Sequence, residues 1–405
     1  MNKTGSVDRG GWTGGQYSIF RVVLAIHAAC VLGARLSVSG ETGWDRPWLA
    51  AFLGLGLLAC FPLALGMRDR TAAGVITVAV GVGGAVADGA PLLLPTLEVL
   101  VTTALLILHL CVAPLPFGAR DAADRVDPRG DWRRAPWLGH LAWCLLALTH
   151  LARAASGIEP NAFLQERLGI SLPGLTLAVL AFEAALFLFG LRSAMRPKAW
   201  TALILFRIAC LAAFGALPGD ASVFLLLLFA CEPIWFAGRS LQFPAAGEAE
   251  AEMADATADG DLNQNRPARL YYDGDCGFCH GSIRFVLSEE NATPPSLRLR
   301  FAPLASEGFA DRVAQASEFS ASEVPDSIVL DLEDGRLLTQ SAAALEIAAR
   351  LGGIWLGIAK IARHVPPSAL DAAYDAFAKI RKRIFAAPKG ACPILPPDMR
   401  ARFDL

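Results

Sequence analysis

The sequence predicts two joined structures, a multi-pass α-helical membrane bundle and a C-terminal α/β domain, and three observations predict them. Of 405 residues, 54% are hydrophobic and only 18% charged, with a mean hydropathy of +0.44, well beyond the usual range of a soluble protein. The apolar residues are gathered into long runs before residue 240, whereas short strand and helix signals alternate after residue 268. The first of those strands leads into Leu270-Tyr-Tyr-Asp-Gly-Asp-Cys-Gly-Phe-Cys-His280, where reactive chemistry is written into the chain. A formal charge of −2 gives no hint of nucleic-acid binding, and no nucleic-acid partner is expected.

The bundle is justified run by run. Residues 1–15 form a polar, Gly-rich tail, and an apolar run of about 20 residues begins near Tyr17, too long for a signal-peptide core and so a retained span. Further runs cover 47–67, 71–88, 91–115, 136–155, 172–191, 199–217 and 221–238, of which the run at 71–88 is Gly-rich. The expectation is about eight spans within a membrane domain at 16–240. With the N-terminus in the cytoplasm, the inner segments carry thirteen Lys and Arg, including the cluster Arg120, Arg125, Arg129, Arg133 and Arg134. The outer segments carry four: Arg35, Arg46, Arg153 and Arg167. That asymmetry predicts a multi-pass protein of the cytoplasmic membrane with both termini in the cytoplasm and the lipid bilayer as its first partner.

Residues 241–267 are rich in Ala, Gly and acid, including Glu248, Glu250, Glu252, Asp255, Asp259 and Asp261, and read as a disordered linker. The segment 268–405 suits one domain. A strand at 268–273 leads into a helix at 276–289, and a strand from Leu297 to Phe301 into a helix at 305–317. Ser327 to Leu332 and Arg336 to Thr339 read as a hairpin about Asp334-Gly335, and helices follow at 341–351, 354–363 and 367–385. The order βαβα then ββα is that of a thioredoxin-like fold, with the cysteine pair at the carboxyl end of the first strand.

Of the nine cysteines, Cys30, Cys60, Cys111, Cys144, Cys210 and Cys231 are scattered singly through apolar runs and read as small hydrophobes; Cys276, Cys279 and Cys392 stand in the polar part. A helix N-terminus at Cys276 favours thiolate there and exposes it, with Cys279 one turn along. No second Cys-x-x-Cys or His-x-x-x-His accompanies the pair, which argues against a closed zinc site. His280 completes the Cys-x-x-Cys-His of haem attachment, but a strand-turn-helix setting favours redox. Asp273 and Asp275 resemble the Asp-x-Asp of aspartyl phosphotransferases, although Gly277 stands where that motif wants Thr or Val. In a redox pair Cys276 attacks a substrate disulfide and Cys279 resolves it, while Asp273 and Asp275 either oppose the thiolate by like charge or relay a proton. Pro325 precedes the third strand, where a thioredoxin-like fold places a cis-proline; an ordinary loop proline is the competing reading.

In the bundle, Glu183 and Arg207 lie about eight and nine residues from the same ends of their spans, hence at a common depth of ~12–14 Å, which predicts an intramembrane ion pair. His27, His109 and His150 are candidates to gather as a metal or quinone site; separate histidines, each satisfied by backbone or hydroxyl, are the alternative.

Tyr272-Asp-Gly-Asp-Cys-Gly-Phe-Cys279, Asp326-Ser-Ile-Val-Leu330, Ser341-Ala-Ala-Ala-Leu345, Leu351-Gly-Gly-Ile-Trp355, Tyr374 with Arg381 and Arg383, and Ala391-Cys-Pro393 resemble the DCC family of thiol-disulfide oxidoreductases. The resemblance spans about 268–405 and implies a thioredoxin-like domain with Cys276 and Cys279 as the redox pair. It also covers Cys392, as a third thiol reaching the pair or as a packing residue. Phe20-Arg21, His150 with Arg153, Glu183, and Asp220 with Phe229-Ala-Cys-Glu-Pro-Ile-Trp235 resemble HTTM-type membrane domains, the group that includes vitamin K-dependent carboxylases. The spans hold no internal Lys, so the base expected of a carboxylase is missing.

The reading is therefore a membrane-tethered thiol-disulfide oxidoreductase acting as a reductant on a thiol or disulfide substrate, with no firm cofactor beyond a candidate quinone. Two alternatives stand beside it. One is a soft-metal handler holding copper or zinc on Cys276, Cys279 and Cys392. The other is a maturation or immunity factor for a secreted peptide.

Overall fold

A computed structural model of the chain describes residues 12–41, 46–89, 96–112, 132, 134–155, 174–214, 219–232, 235, 267–274, 276–290, 298–315, 327–384 and 397–404. The acidic residues of the predicted linker, together with Asp275, Pro325 and Cys392, lie outside the described residues.

The first half is helical: α1 (Gly14–Glu41), α2 (Pro47–Leu65), α3 (Asp69–Ala87), α4 (Leu97–Cys111), α5 (Pro136–Ala155), α6 (Leu175–Gly190), α7 (Arg196–Phe214) and α8 (Asp220–Ala230). Each expected run thus contains a helix, but eight spans are not supported. Among the described residues three helices are long and apolar enough to cross a membrane: Gly14–Ser37, Pro47–Leu65 and Asp69–Ala87. The reason is length in α4 and α8, whose 15 and 11 residues rise only about 22 and 16 Å against a hydrocarbon core of about 30 Å. The 20-residue α5 and 19-residue α7 dilute their apolar runs with His140, His150 and Arg153 and with Arg196, Lys198 and Arg207.

α1 is the hub, packing on α2, α4 and α8. Such contacts need close shape fit. Gly56 of α2 supplies one, since a Cβ there would lie 2.4 Å from the Ala79 methyl of α3. At Ala79–Gly84 the Gly-rich third run turns π-helical within α3. Leu55, Leu58 and Phe61 point outward from α2 and are exposed.

The second half carries β1 (Arg269–Tyr272), α9 (Gly277–Glu289), β2 (Arg300–Pro303), α10 (Glu307–Gln315), β3 (Val329–Asp331), β4 (Leu337–Thr339), α11 (Gln340–Leu351), α12 (Gly353–Ala362), α13 (Pro367–Ile384) and the short α14 (Pro397–Arg400). The sheet order is β2-β1-β3-β4, with β1 parallel to β2 and antiparallel to β3. Gly335, at φ +86°, makes the expected β3–β4 turn. β2 starts later than the apolar pattern suggests because the N–H of Leu299 goes to the Glu290 carboxylate, 2.9 Å away, and not to the sheet.

Two cores result. Leu270, Tyr272, Phe301 and Leu330 face α9 and α11, while Tyr271, Ala302 and Val329 face α10. The end of the chain returns to the free edge of β2: Phe301 N–H donates to Arg402 O and Asp404 N–H to Phe301 O, both at 2.9 Å. Arg402 also lies over the Phe301 ring, 5.1 Å from its centroid, and meets Glu290. A sheet edge that would otherwise template association is thereby closed.

Candidate functional site

β1 lies between β2 and β3 and delivers the chain to the site at its carboxyl end. After Tyr272, the Cys276 N–H reaches back to Asp273 O at 3.3 Å and tightens the turn. Cys276 keeps an extended backbone (φ −98°, ψ 113°) and forms the N-cap of α9. Its sulfur accepts the N–H of Cys279 at 3.4 Å. That is the geometry of a capping side chain, with one of the helix's unpaired donors aimed at the sulfur.

His280 N–H donates to Cys276 O at 3.1 Å, the first bond of the helix. Its Nε2 lies 2.7 Å from Gly274 O. A carbonyl only accepts, so Nε2 carries the proton and the ring pins the loop before the cysteines. The ring stands edge-on to Tyr272. This commitment leaves Nε2 unsuited to an axial haem role. Asp273 is half-buried beside the pair.

Sequence logic exposes the first thiol, and the structure differs: Cys276 is 4% and Cys279 2% exposed, both in a core with Ala343, Ile347 and Leu351. The cause is the helical layer over the sheet. α9 packs against α11 and α13, and Phe278 meets Phe377 of α13 edge-on at 4.8 Å. α13 is fastened by three polar contacts: Ile328 N–H to Tyr374 Oη (3.2 Å), Gln340 to Asp375 (2.7 Å) and Ser341 to Asp371 (2.5 Å).

The family model for DCC1-like thiol-disulfide oxidoreductases matches residues 270–387, from β1 through the cysteines to α13. A curated relative, "Uncharacterized protein YuxK" of Bacillus subtilis (strain 168), is 31% identical over 138 residues, which cover 33% of this chain and 91% of that protein. The chain belongs to the DCC1-like family. No solved structure matches it. The DCC1-like domain therefore supplies a thiol-disulfide redox class at family level, and the membrane half stands outside the match.

Sequence reasoning missed what joins the DCC1-like domain to the bundle. Glu289, the last residue of α9 and 3% exposed, accepts from Thr13 Oγ1 (2.5 Å), Gly15 N–H (3.0 Å) and Trp355 Nε1 (2.8 Å). Phe285, one turn earlier, packs edge-on against Trp355 at 5.0 Å. A Cβ on Gly15 would meet Phe285 at 2.7 Å and the Glu289 carboxyl at 2.8 Å, so a side chain here would have to displace both. The helix that starts with the cysteines thus ends on the first turn of α1, capping it with a carboxylate. The only sequence trace was an acid at the end of an otherwise apolar helical face.

In the bundle, Glu183 Oε1 lies 2.6 Å from Arg207 Nη2, and His150 Nδ1 lies 2.9 Å from the other carboxylate oxygen and also touches Arg207. The three histidines do not gather. His27 Nε2 sits 3.0 Å from both Thr102 and Ser222 hydroxyls, and His109 stacks on Tyr17 with Nδ1 3.2 Å from its hydroxyl. The physical reason is that each histidine finds a polar partner on the nearest helix. Among the described residues no group of three His, Cys, Asp or Glu could hold a metal ion.

Proposed function

We propose that the protein is a membrane-tethered thiol-disulfide oxidoreductase that works through Cys276 and Cys279. Cys276 thiolate attacks one sulfur of a substrate disulfide, forming a mixed disulfide and releasing one substrate thiol. Cys279 then attacks Cys276 Sγ and releases the second thiol, so two electrons and two protons pass to the substrate and the pair ends oxidised. A dithiol reductant restores it.

The observation that carries this reading is the capping geometry at Cys276, with the Cys279 N–H aimed at its sulfur. The βαβα-ββα order and the β2-β1-β3-β4 sheet support a thioredoxin-like reading of the domain. Three membrane-length helices and the Glu289 cap on α1 support the tether. The same cap supports putting the start of α1 and the domain on one side of the membrane, the cytoplasmic side by the distribution of Lys and Arg. An HTTM-type bundle is supported by the burial of Phe20, Phe229, His150 and Glu183, which carry that resemblance.

The test is reduction of insulin disulfides by the full chain in nanodiscs. The wild type should reduce them at least about a hundredfold faster than Cys276→Ser/Cys279→Ser, because a hydroxyl neither forms nor resolves a mixed disulfide. Equal rates would sink the reading.

A further inference from the structure

α12 and the residues after it present an apolar stripe that the soluble fold leaves uncovered. Ile354, Ile358 and Ile361 fall at i, i+4 and i+7, one face of α12, and Val365 follows in the bend after it. Ile358 is 40%, Ile361 73% and Val365 40% exposed. Among the described residues of the C-terminal domain, these three and Phe377 are the exposed large hydrophobic side chains. Three of the four therefore lie together on α12 and the bend that follows it, which separates them from the scattered apolar exposure of an ordinary surface.

The position of the stripe decides what covers it. Its first residue, Ile354, packs against the hydrophobic core of the bundle. Its neighbour Trp355 donates to Glu289, the same carboxylate that holds Thr13 and Gly15 at the start of α1. α1 enters its membrane-length apolar segment at Gly14, so α12 leaves the bundle at the level where the bilayer's polar and hydrocarbon layers meet. The exposed stripe continues, without interruption, from that contact.

The charge pattern agrees. Between Gly353 and Val365 there is no acid, while Lys360, Arg363 and His364 alternate with the isoleucines, and Lys360 and Arg363 are exposed. Apolar residues that sink to the acyl boundary beside basic residues that stay among headgroups define a helix lying in the membrane surface. We infer that α12 and the bend after it form an interfacial anchor whose Ile358, Ile361 and Val365 insert into an anionic lipid surface and hold the DCC1-like domain against the membrane. The inference rests on the bundle crossing a bilayer and is independent of the thiol chemistry.

The test places a benzophenone amino acid in the full chain, assembled in nanodiscs of phosphatidylcholine and phosphatidylglycerol, and identifies photo-adducts by mass spectrometry. Three positions are compared: Ile361; Leu58, exposed on α2; and Arg336, on the hairpin turn between β3 and β4. The expected result is phospholipid adduct at Leu58 and at Ile361, about tenfold above that at Arg336, and weaker at Ile361 when phosphatidylglycerol is omitted. Lipid at Leu58 with none above the Arg336 level at Ile361 overturns the anchor while leaving the bundle intact. Adduct of Ile361 with a second copy of the chain also overturns it, in favour of a protein contact. No lipid at Leu58 overturns the membrane reading and the anchor with it. Ile361→Asp should raise amide exchange across 353–365 in nanodiscs and leave it unchanged at Ile283; equal exchange in both forms counts against the anchor.

Discussion

The Glu289 carboxylate accepts the N–H of Gly15 at 3.0 Å, joining the last residue of the cysteine-bearing helix to the first turn of the longest apolar helix. Two consequences follow from how little room surrounds that bond. Gly15→Ala would place a methyl 2.7 Å from Phe285 and 2.8 Å from Glu289. Overpacking of this kind costs about 1–3 kcal/mol. Amide exchange at the starts of α1 and α12 and at the end of α9 should rise together, while exchange in β1 and β3 stays low.

Glu289→Ala removes the acceptor shared by Thr13, Gly15 and Trp355 and leaves three donors without it. Each buried donor stranded in this way costs about 1–3 kcal/mol. Glu289→Gln keeps one carbonyl oxygen and should lose less. Thermal unfolding of the full chain in nanodiscs should rank the wild type above Glu289→Gln and that above Glu289→Ala.

Within the bundle, Glu183 bonds both Arg207 and His150. Removing one partner of a buried pair leaves an uncompensated charge and costs about 3–5 kcal/mol, whereas replacing both with apolar residues is often nearly neutral. Glu183→Leu should therefore lower the unfolding temperature sharply, and Glu183→Leu/Arg207→Leu should recover most of the loss. Insulin reduction per folded molecule should be unchanged in the double variant, because the pair fastens helices and touches no reacting sulfur.

Acid stability separates two groups at the closing edge of the sheet. The hydrogen bond from Arg300 and the charge of Arg269 hold the Asp404 carboxyl below its ordinary 3.8. The folded state thus binds that proton less readily, so its contribution is present above pH 3.8 and disappears as pH falls through the lowered folded value. Burial acts oppositely on Glu290 and pushes its carboxyl above the ordinary 4.5 despite Arg402. Its contribution is therefore greatest below 4.5 and falls as pH rises through the raised value. Asp404→Asn should flatten the acid limb of a stability-against-pH curve, and Glu290→Gln should flatten the slope above pH 4.5.

The DCC1-like domain was readable to a residue or two at most boundaries because its signals are local. The Asp334-Gly335 turn, the Gly352 break before α12 and the strand ending at Tyr272 each act through backbone preferences of a few residues. β2 starts later than its apolar pattern predicts because the N–H of Leu299, just before it, is claimed by Glu290, a tertiary effect without a local trace. In the bundle, apolar runs located each described helix but not its length, and α4 and α8 stop short of the width of a bilayer. The Glu183–Arg207 contact followed from equal depth alone. The burial of Cys276 did not, because α13, which is fastened through Tyr374, Asp371 and Asp375, folds back from about a hundred residues downstream. Glu289 escaped notice for a related reason: a carboxylate at a helix end looks solvated until its partners, here some 274 residues away, are known.

Trapping the covalent intermediate tests the thiol chemistry most directly. The full chain carrying Cys279→Ser is incubated in nanodiscs with a peptide disulfide, and adducts are mapped by mass spectrometry without added reductant. A mixed disulfide should accumulate on Cys276, be absent from Cys276→Ser, and turn over without accumulating in the wild type. Adduct formed equally on Cys279→Ser and Cys276→Ser/Cys279→Ser, or found on the bundle cysteines instead, would contradict the account.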